Sequence, residues 1–381
     1  LTKKYCIHAQ AGVSLTETSA VINPCCLFQS NGEMPTLFDV STLDNLHQTD
    51  PYVKTQQQLQ QGLEVTQCSR CTAHEALGIK SKRQHSNQLF SDTTIVPGYV
   101  YDLEIALDYT CNMMCRMCSP MSSSKWGAAY GLLEELANTG IDVGYVKHKS
   151  YKNYQDQFYK VFNNTSFKYM KHIKIEGGEP FYAKNLEWFL EKLYNESDNV
   201  ADIKLNIFSN GSIFPDSSIL KKLESFQTNI TFSLDAYGDL ATVIRYGVDW
   251  KDIELSLRQW SNYAKNSEIF LCTNTTLNIM NINMVDPLLE FCNDLNIDVN
   301  YNDLHYPNYL SMYQLPLHVR QKWQDTKKKK TFNEFLLADV NVNPEFNKFL
   351  KFTYILDTYQ RMSLRDVNPE MYEIIHQLYK E

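Results

Sequence analysis

Cys111-Asn112-Met113-Met114-Cys115-Arg116-Met117-Cys118 is the stretch that decides how this chain folds. It sets three thiols at the spacing C-x3-C-x2-C, directly after an apolar segment at residues 101–108 that predicts a strand. Three thiolates can hold three irons of a 4Fe–4S cube and leave the fourth iron without a protein ligand. That suits chemistry at the open metal, whereas four ligands suit an electron-transfer or structural centre. Three cysteines fit zinc less well, because a tetrahedral structural zinc site wants four closed ligands.

Outward from this run, short apolar segments alternate with amphipathic ones from about residue 98. Strands are predicted at residues 101–108, 172–176, 203–209, 230–235, 269–275 and 297–301, and helices at 185–194, 217–226, 250–264 and 285–295. Strands alternating with helices read as parallel β/α units. Folds of that kind place their sites at the C-terminal ends of the strands, and the polar motifs here fall at or just beyond those ends. The pattern by itself leaves a barrel and a doubly wound sheet both open.

Beyond the second strand comes Glu176-Gly177-Gly178-Glu179-Pro180. Its glycines let the backbone approach a ligand closely, and its carbonyls and carboxylate can bind an ammonium. Beyond the third, Phe208-Ser209-Asn210-Gly211-Ser212 offers polar groups suited to ribose hydroxyls or a carboxylate. The fourth strand ends in Ser233-Leu234-Asp235-Ala236-Tyr237-Gly238, followed by Ile244-Arg245-Tyr246. Arg245 can grip a carboxylate with two N–H groups. Taken singly, each motif also reads as a turn, a helix cap or a surface ion pair.

In this order, the motifs resemble the S-adenosylmethionine (SAM) binding wall of the radical SAM enzymes, over about residues 99–302. The resemblance selects an α/β fold built as a partial (β/α)6 TIM-like barrel. It implies that Cys111, Cys115 and Cys118 ligate a 4Fe–4S cluster whose open iron takes the amino and carboxylate groups of SAM. Gly177, Gly178 and Glu179 match the motif that holds the methionine amino group. Ser209, Asn210, Ser233 and Asp235 lie where the family contacts ribose and carboxylate, and Arg245 is a candidate carboxylate clamp. Met117 stands where the family usually has an aromatic residue behind the adenine, and a methionine can fill that space.

Residues 1–90 lack the strand–helix alternation and carry a second set of cysteines: Cys6, Pro24-Cys25-Cys26 and Cys68-Ser69-Arg70-Cys71. This order, with Glu75, Gly78, Ser81 and Arg83 after the C-x2-C, resembles the twitch module, a shortened SPASM domain that carries an auxiliary 4Fe–4S cluster. In most relatives that module follows the barrel. The resemblance implies four ligands from Cys6, Cys25 or Cys26, Cys68 and Cys71, with Cys25 preferred because it follows Pro24. A zinc site of four cysteines uses the same thiolates and stays open on spacing alone.

The resemblance implies an auxiliary-cluster domain at 1–90 and a partial barrel at 98–302, with a mainly helical, aromatic-rich C-terminal extension at 303–381. Its 381 residues allow a main domain with smaller ones beside it. The net charge of -8 argues against a sequence-independent nucleic-acid binder. No apolar run reaches membrane-span length and nothing resembles a signal peptide. Of ten cysteines, all but Cys272 and Cys292 precede residue 120, and C-x2-C spacings in an unsignalled chain point to metal binding in a reducing, cytoplasmic compartment. Gln56–Gln61 reads as a solvated helix face, Lys327–Lys330 as an exposed loop, and Cys292 as core. Cys272 on an inner strand and His305 read as structural before they read as catalytic. The resemblance implies a reduced flavodoxin or ferredoxin as electron donor and an unidentified substrate, whether peptide, small metabolite or nucleotide. Two rivals remain: an iron–sulfur electron carrier without SAM turnover, and a zinc-stabilised binding protein.

Overall fold

The computed structural model describes residues 5–16, 20–76, 78–141, 143, 151–324, 330–340 and 342–380. Nine strands are found among them: β1 (Gly12–Leu15), β2 (Asp102–Ile105), β3 (Met114–Cys115), β4 (His172–Ile175), β5 (Lys204–Ser209), β6 (Gln227–Phe232), β7 (Arg245–Tyr246), β8 (Phe270–Leu277) and β9 (Asp298–Asp303). Seven make a parallel sheet in the order β1-β2-β4-β5-β6-β8-β9, and β3 and β7 pair antiparallel on their own. The class is α/β. Each strand of the sheet lies next to the one that follows it in the chain. A doubly wound sheet would reverse its order at a switch point, so the topology is that of an open partial barrel. All six strands expected from the sequence are present, and the helices Leu186–Glu196, Ser217–Leu223, Trp250–Ala264 and Asp286–Asp294 stand where amphipathic segments were read. β1 is an addition, contributed by the cysteine-bearing N-terminal segment.

By its contacts the chain divides into two compact units, Leu1–Asp108 with Lys147–Ile207 and Ser217–Thr228, and Tyr109–Val146 with Phe208–Asp216 and Asn229–Glu381. In the first, Leu103, Ile105, Ile173, Ile175, Leu205 and Ile207 are fully buried at alternate positions of their strands, as a period of two requires. Phe158, Phe162, Phe167 and Phe189 cluster with ring centroids 4.2–6.1 Å apart. The alternate positions are polar, and the register sets Asp102 beside His172 and Glu104 beside Lys174. Buried charge needs partners, and these residues have them. Asp102 accepts from His172 Nδ1 (2.8 Å) and meets His8 Nδ1 (3.2 Å), while Lys82 pairs with Glu104. On the helix Asp50–Gln60, Gln57 and Gln60 are exposed as a solvated face requires, while Gln56 is half-buried and turns inward. Its Nε2 donates to the carbonyls of Ala9 (2.8 Å) and His47 (3.0 Å).

In the second unit the indole of Trp260 packs edge-on to Phe214 and Phe232 and donates to the carbonyl of Ile213 (3.1 Å). The C-terminal extension is helical, with Lys330–Leu337, Phe346–Gln360 and Pro369–Lys380 as its main helices. Asn368 Nδ2 ties it to the carbonyl of Met280 (2.9 Å). Of the basic run 327–330, all but Lys330 lie outside the described residues. Among the described residues no helix is long and apolar enough to cross a membrane.

Candidate functional site

The cysteine loop is held by its backbone. Cys115 stands opposite Arg245 and Met114 opposite Tyr246 in the β3–β7 pair, and the N–H of Arg116 continues the ladder to the carbonyl of Ile244 (2.8 Å). Gly247 permits this approach. Its φ is +129°, and a Cβ there would lie 2.5 Å from the carbonyl oxygen of Asn112. On the far side, the buried Trp126 donates to the carbonyl of Cys115 (2.9 Å), Ser123 to that of Met113 (2.6 Å), and Ser124 Oγ accepts the N–H of Cys111 (3.1 Å). Three thiols thus sit on a loop whose backbone is held by groups outside it.

Two of the three sulfurs face N–H donors. Cys111 Sγ accepts from the backbone N–H of Met113 (3.4 Å) and has Asn210 Nδ2 at 4.0 Å, and Cys115 Sγ has Arg245 Nη1 at 3.7 Å. Burial raises the pKa of Cys115, partly offset by Arg245, and burial with the neighbouring thiols pushes Cys118 up to about 12. Such thiols stay protonated until a cation displaces the proton. Arg245 is itself fixed: its Nε donates to Asp235 Oδ2 (2.7 Å), and Asp235 Oδ1 accepts the N–H of Thr276 (2.8 Å). Burial opposes the guanidinium charge, but Asp235 and the two thiols outweigh it and hold its pKa above the ordinary arginine value. Asp235 therefore orients Arg245 here.

Asn210 Nδ2 also donates to Asn112 Oδ1 (2.8 Å), whose Nδ2 donates to Ser212 Oγ (2.9 Å), so the loop after β5 is linked to the cysteine loop. Ser209 Oγ accepts the N–H of Gly211 (3.0 Å), and the Ser209 carbonyl accepts that of Ser233 (2.7 Å). Met117 is half-buried. Cys111 is thus in contact with Asn210, and Cys115 with Arg245 and through it Asp235, while the N–H of Cys118 bonds to the carbonyl of Cys115 (3.0 Å). Asn112 and Ser212 extend the first group, Trp126 and Thr276 the second, and these four were not singled out from the sequence. Asn112 and Ser212 carried a signal, as polar side chains inside two motifs already marked.

Gly177, Gly178 and Glu179 belong to the first unit, directly beyond β4. Gly177 has φ +80°, and a Cβ on it would lie 2.7 Å from that of Ala106, so this turn beyond β4 strongly favours glycine. Glu179 is buried, and its Oε1 caps the following turn through the N–H of Phe181 (3.1 Å).

The N-terminal cysteines also converge. Cys6, Cys25, Cys68 and Cys71 line one pocket with His8, Leu27, Phe28, Lys82 and Arg83. Cys26 is exposed and turns away, its N–H on Glu104 Oε2 (2.7 Å) and its Sγ 3.5 Å from Oε1. Burial raises Cys6, Cys25 and Cys68, the last to about 12, with the other thiols adding to the effect and Arg83 lowering Cys6 and Cys68. Glu75 holds Arg83 in place, accepting from Nη2 on both oxygens (2.8 and 2.7 Å), and also accepts Ser81 Oγ (2.7 Å). Ser81 and Gln84 form a capping box that starts the helix Lys82–Leu89, which presents both basic residues. Among the described residues no three His, Cys, Asp or Glu side chains are arranged around a single metal ion.

Cys272 is buried on β8 with Thr231 Oγ1 (3.4 Å) and Asn229 Oδ1 (3.5 Å), and Cys292 is core. His305 is exposed and pairs with Asp303 (3.2 Å).

No protein-family description and no curated protein matches the chain. Among solved structures it is similar to Streptococcus suis SuiB bound to S-adenosylmethionine, at 13% identity and a TM-score of 0.36 over 68% of this chain and 55% of that one. It is also similar to anSMEcpe with bound AdoMet (14%, 0.34, 68% and 61%) and to TYW1 with a lysine–pyruvate adduct bound (18%, 0.32, 67% and 72%). The chain spans less than two thirds of the length of the SuiB and anSMEcpe chains.

Proposed function

We propose that this chain is a radical SAM enzyme with an auxiliary iron–sulfur centre. The observation that supports it most is the loop 111–118: three thiols on a loop anchored at Cys115 by the β3–β7 pair, two of them facing N–H donors. Ligating thiolates in iron–sulfur proteins are held and tuned by such donors, so the residues present fit a 4Fe–4S cluster. Bound there, the cluster would supply one electron to the sulfonium of SAM, yielding methionine and a 5′-deoxyadenosyl radical that takes a hydrogen atom from the substrate.

The chain's own residues have separate tasks in this reading. Cys111, Cys115 and Cys118 hold the metal. Arg245, oriented by Asp235, places positive charge beside Cys115 and can receive a carboxylate. Asn210, with Asn112 and Ser212, presents amide and hydroxyl groups near Cys111, of the kind that ribose or carboxylate oxygens accept. Gly177, Gly178 and Glu179 are assigned to the methionine amino group, Ser209 and Ser233 to ribose, and Met117 to the adenine. Cys6, Cys25, Cys68 and Cys71 are assigned to the auxiliary 4Fe–4S cluster, within a domain at 1–90 that precedes the barrel at 98–302 and the extension at 303–381. The electron donor is a reduced flavodoxin or ferredoxin, and the compartment is the cytoplasm. The substrate is a peptide, a small metabolite or a nucleotide.

The test is anaerobic reconstitution followed by metal counting and assay for 5′-deoxyadenosine with SAM and dithionite. Two cubes predict about eight irons per chain, with deoxyadenosine formed. About four irons with zinc would return the N-terminal site to zinc, and colourless zinc protein without iron would refute the reading.

A further inference from the structure

Arg116 lies between the second and third thiols of the loop, and its guanidinium is fully buried. Its Nε donates to the carbonyl of Val243 (2.9 Å), and its Nη2 pairs with Asp357 and donates to Gln360 Oε1 (2.8 Å). Asp357 and Gln360 are three residues apart on the helix Phe346–Gln360, so they share a face. The second oxygen of Asp357 accepts the N–H of Leu364 (3.0 Å), which steadies the carboxylate from behind. The N–H of Arg116 is also engaged, on the carbonyl of Ile244. Backbone and side chain of one residue are therefore locked at once, against the segment that leads into Arg245 and against the C-terminal extension.

Packing alone does not call for this arrangement. A leucine or methionine would fill the space without the desolvation of a buried guanidinium, which is tolerated only where its partners are well placed. What a planar, three-point fork adds is direction. It fixes the peptide at 116, and so the side on which Cys115 and Cys118 present their sulfurs.

We propose that the helix Phe346–Gln360 is part of the metal-bearing site, with Arg116, Asp357 and Gln360 as positioning residues that hold the 111–118 loop in its ligating geometry. This gives the C-terminal extension a function, and it rests on the cluster reading above. The clamp itself is measurable without metal.

The test uses Asp357→Asn, which keeps the side-chain shape but removes the charge opposite Arg116, with Arg116→Met as the second variant. In the iron-free chain, amide hydrogen exchange in 114–118 is expected to rise at least about tenfold, while β2 and β4 exchange as in wild type. After reconstitution the iron is expected to fall from about eight to about four per chain, and the residual iron to be lost on adding Cys71→Ser. Unchanged exchange and full iron in Asp357→Asn would overturn the proposal. So would exchange that rises equally in β2 and β4, because Arg116 would then support the fold at large. Wild-type protein that takes up no iron would overturn the cluster reading, and the assignment of these residues to such a site with it, whatever the exchange shows.

Discussion

Asp235→Asn isolates the contribution of the pair behind Cys115. The carboxylate is fully buried and the guanidinium of Arg245 nearly so, at 0% and 13% exposure, with 2.7 Å between Oδ2 and Nε. Asparagine keeps an oxygen for the N–H of Thr276, now at 2.8 Å, but turns an NH2 toward a guanidinium that can only donate. Removing one partner of a buried pair costs about 3–5 kcal/mol, because the remaining charge stays buried without compensation. The retained Thr276 bond and the slight exposure of Arg245 place this variant near the lower end, at about 3 kcal/mol. Urea unfolding of iron-free protein reads the loss. Trp126, Trp250, Trp260 and Trp323 all belong to the second unit, so tryptophan fluorescence reports mainly on it. With a slope of about 2 kcal/mol per molar urea, the midpoint should fall by about 1.5 M. Replacing both residues by apolar ones, Asp235→Leu with Arg245→Met, should recover most of the loss, with a coupling of about 2 kcal/mol or more. A single variant within about 0.5 kcal/mol of wild type would refute the reasoning, since that is the range of uncoupled surface substitutions.

Other sites give independent tests. His47 is buried with Nε2 on the carbonyl of Gly12 (2.8 Å), and burial lowers its pKa to about 4. A histidine whose folded pKa lies below its unfolded value contributes stability above about pH 6.5 that is lost as the pH falls toward 4. His47→Gln should therefore flatten the decline in urea midpoint between pH 7.5 and 4.5, and an unaltered slope would contradict the assignment. Gly177→Ala should cost about 3 kcal/mol from left-handed strain plus contact with Ala106. Gly78→Ala, at φ +72° with nothing within 4 Å, should cost only about 1 kcal/mol; equal losses in thermal or urea unfolding would count against the packing argument. Cys25→Ser should remove the N-terminal metal and Cys26→Ser should spare it, as metal counting after reconstitution would show, and the reverse result would reassign the ligand.

Much of this was legible in the sequence. The six strands were visible because apolar residues recur at alternate positions between amphipathic segments, and the cysteine spacing marked the loop. β1 was not legible: four residues following directly on the helix Ile7–Ala11 are too few for a period of two to show. The β3–β7 pair is shorter still, and it exists because Gly247 lets two distant segments touch. Non-local partners were likewise hidden, as with Arg116 and Asp357, which are 241 residues apart. The choice between Cys25 and Cys26 needed direction, since adjacent residues point to different sides, and only the fold shows which thiol faces the pocket with Cys6, Cys68 and Cys71.

In the function proposed above, the 111–118 loop carries a cluster with an iron open to SAM. Electron paramagnetic resonance of the reduced, reconstituted protein, recorded before and after adding SAM, tests it most directly. SAM is expected to change one signal and leave the other, and Cys115→Ala to abolish the responsive one while the second persists. Iron-loaded protein whose spectrum ignores saturating SAM would contradict it and leave an electron carrier in its place.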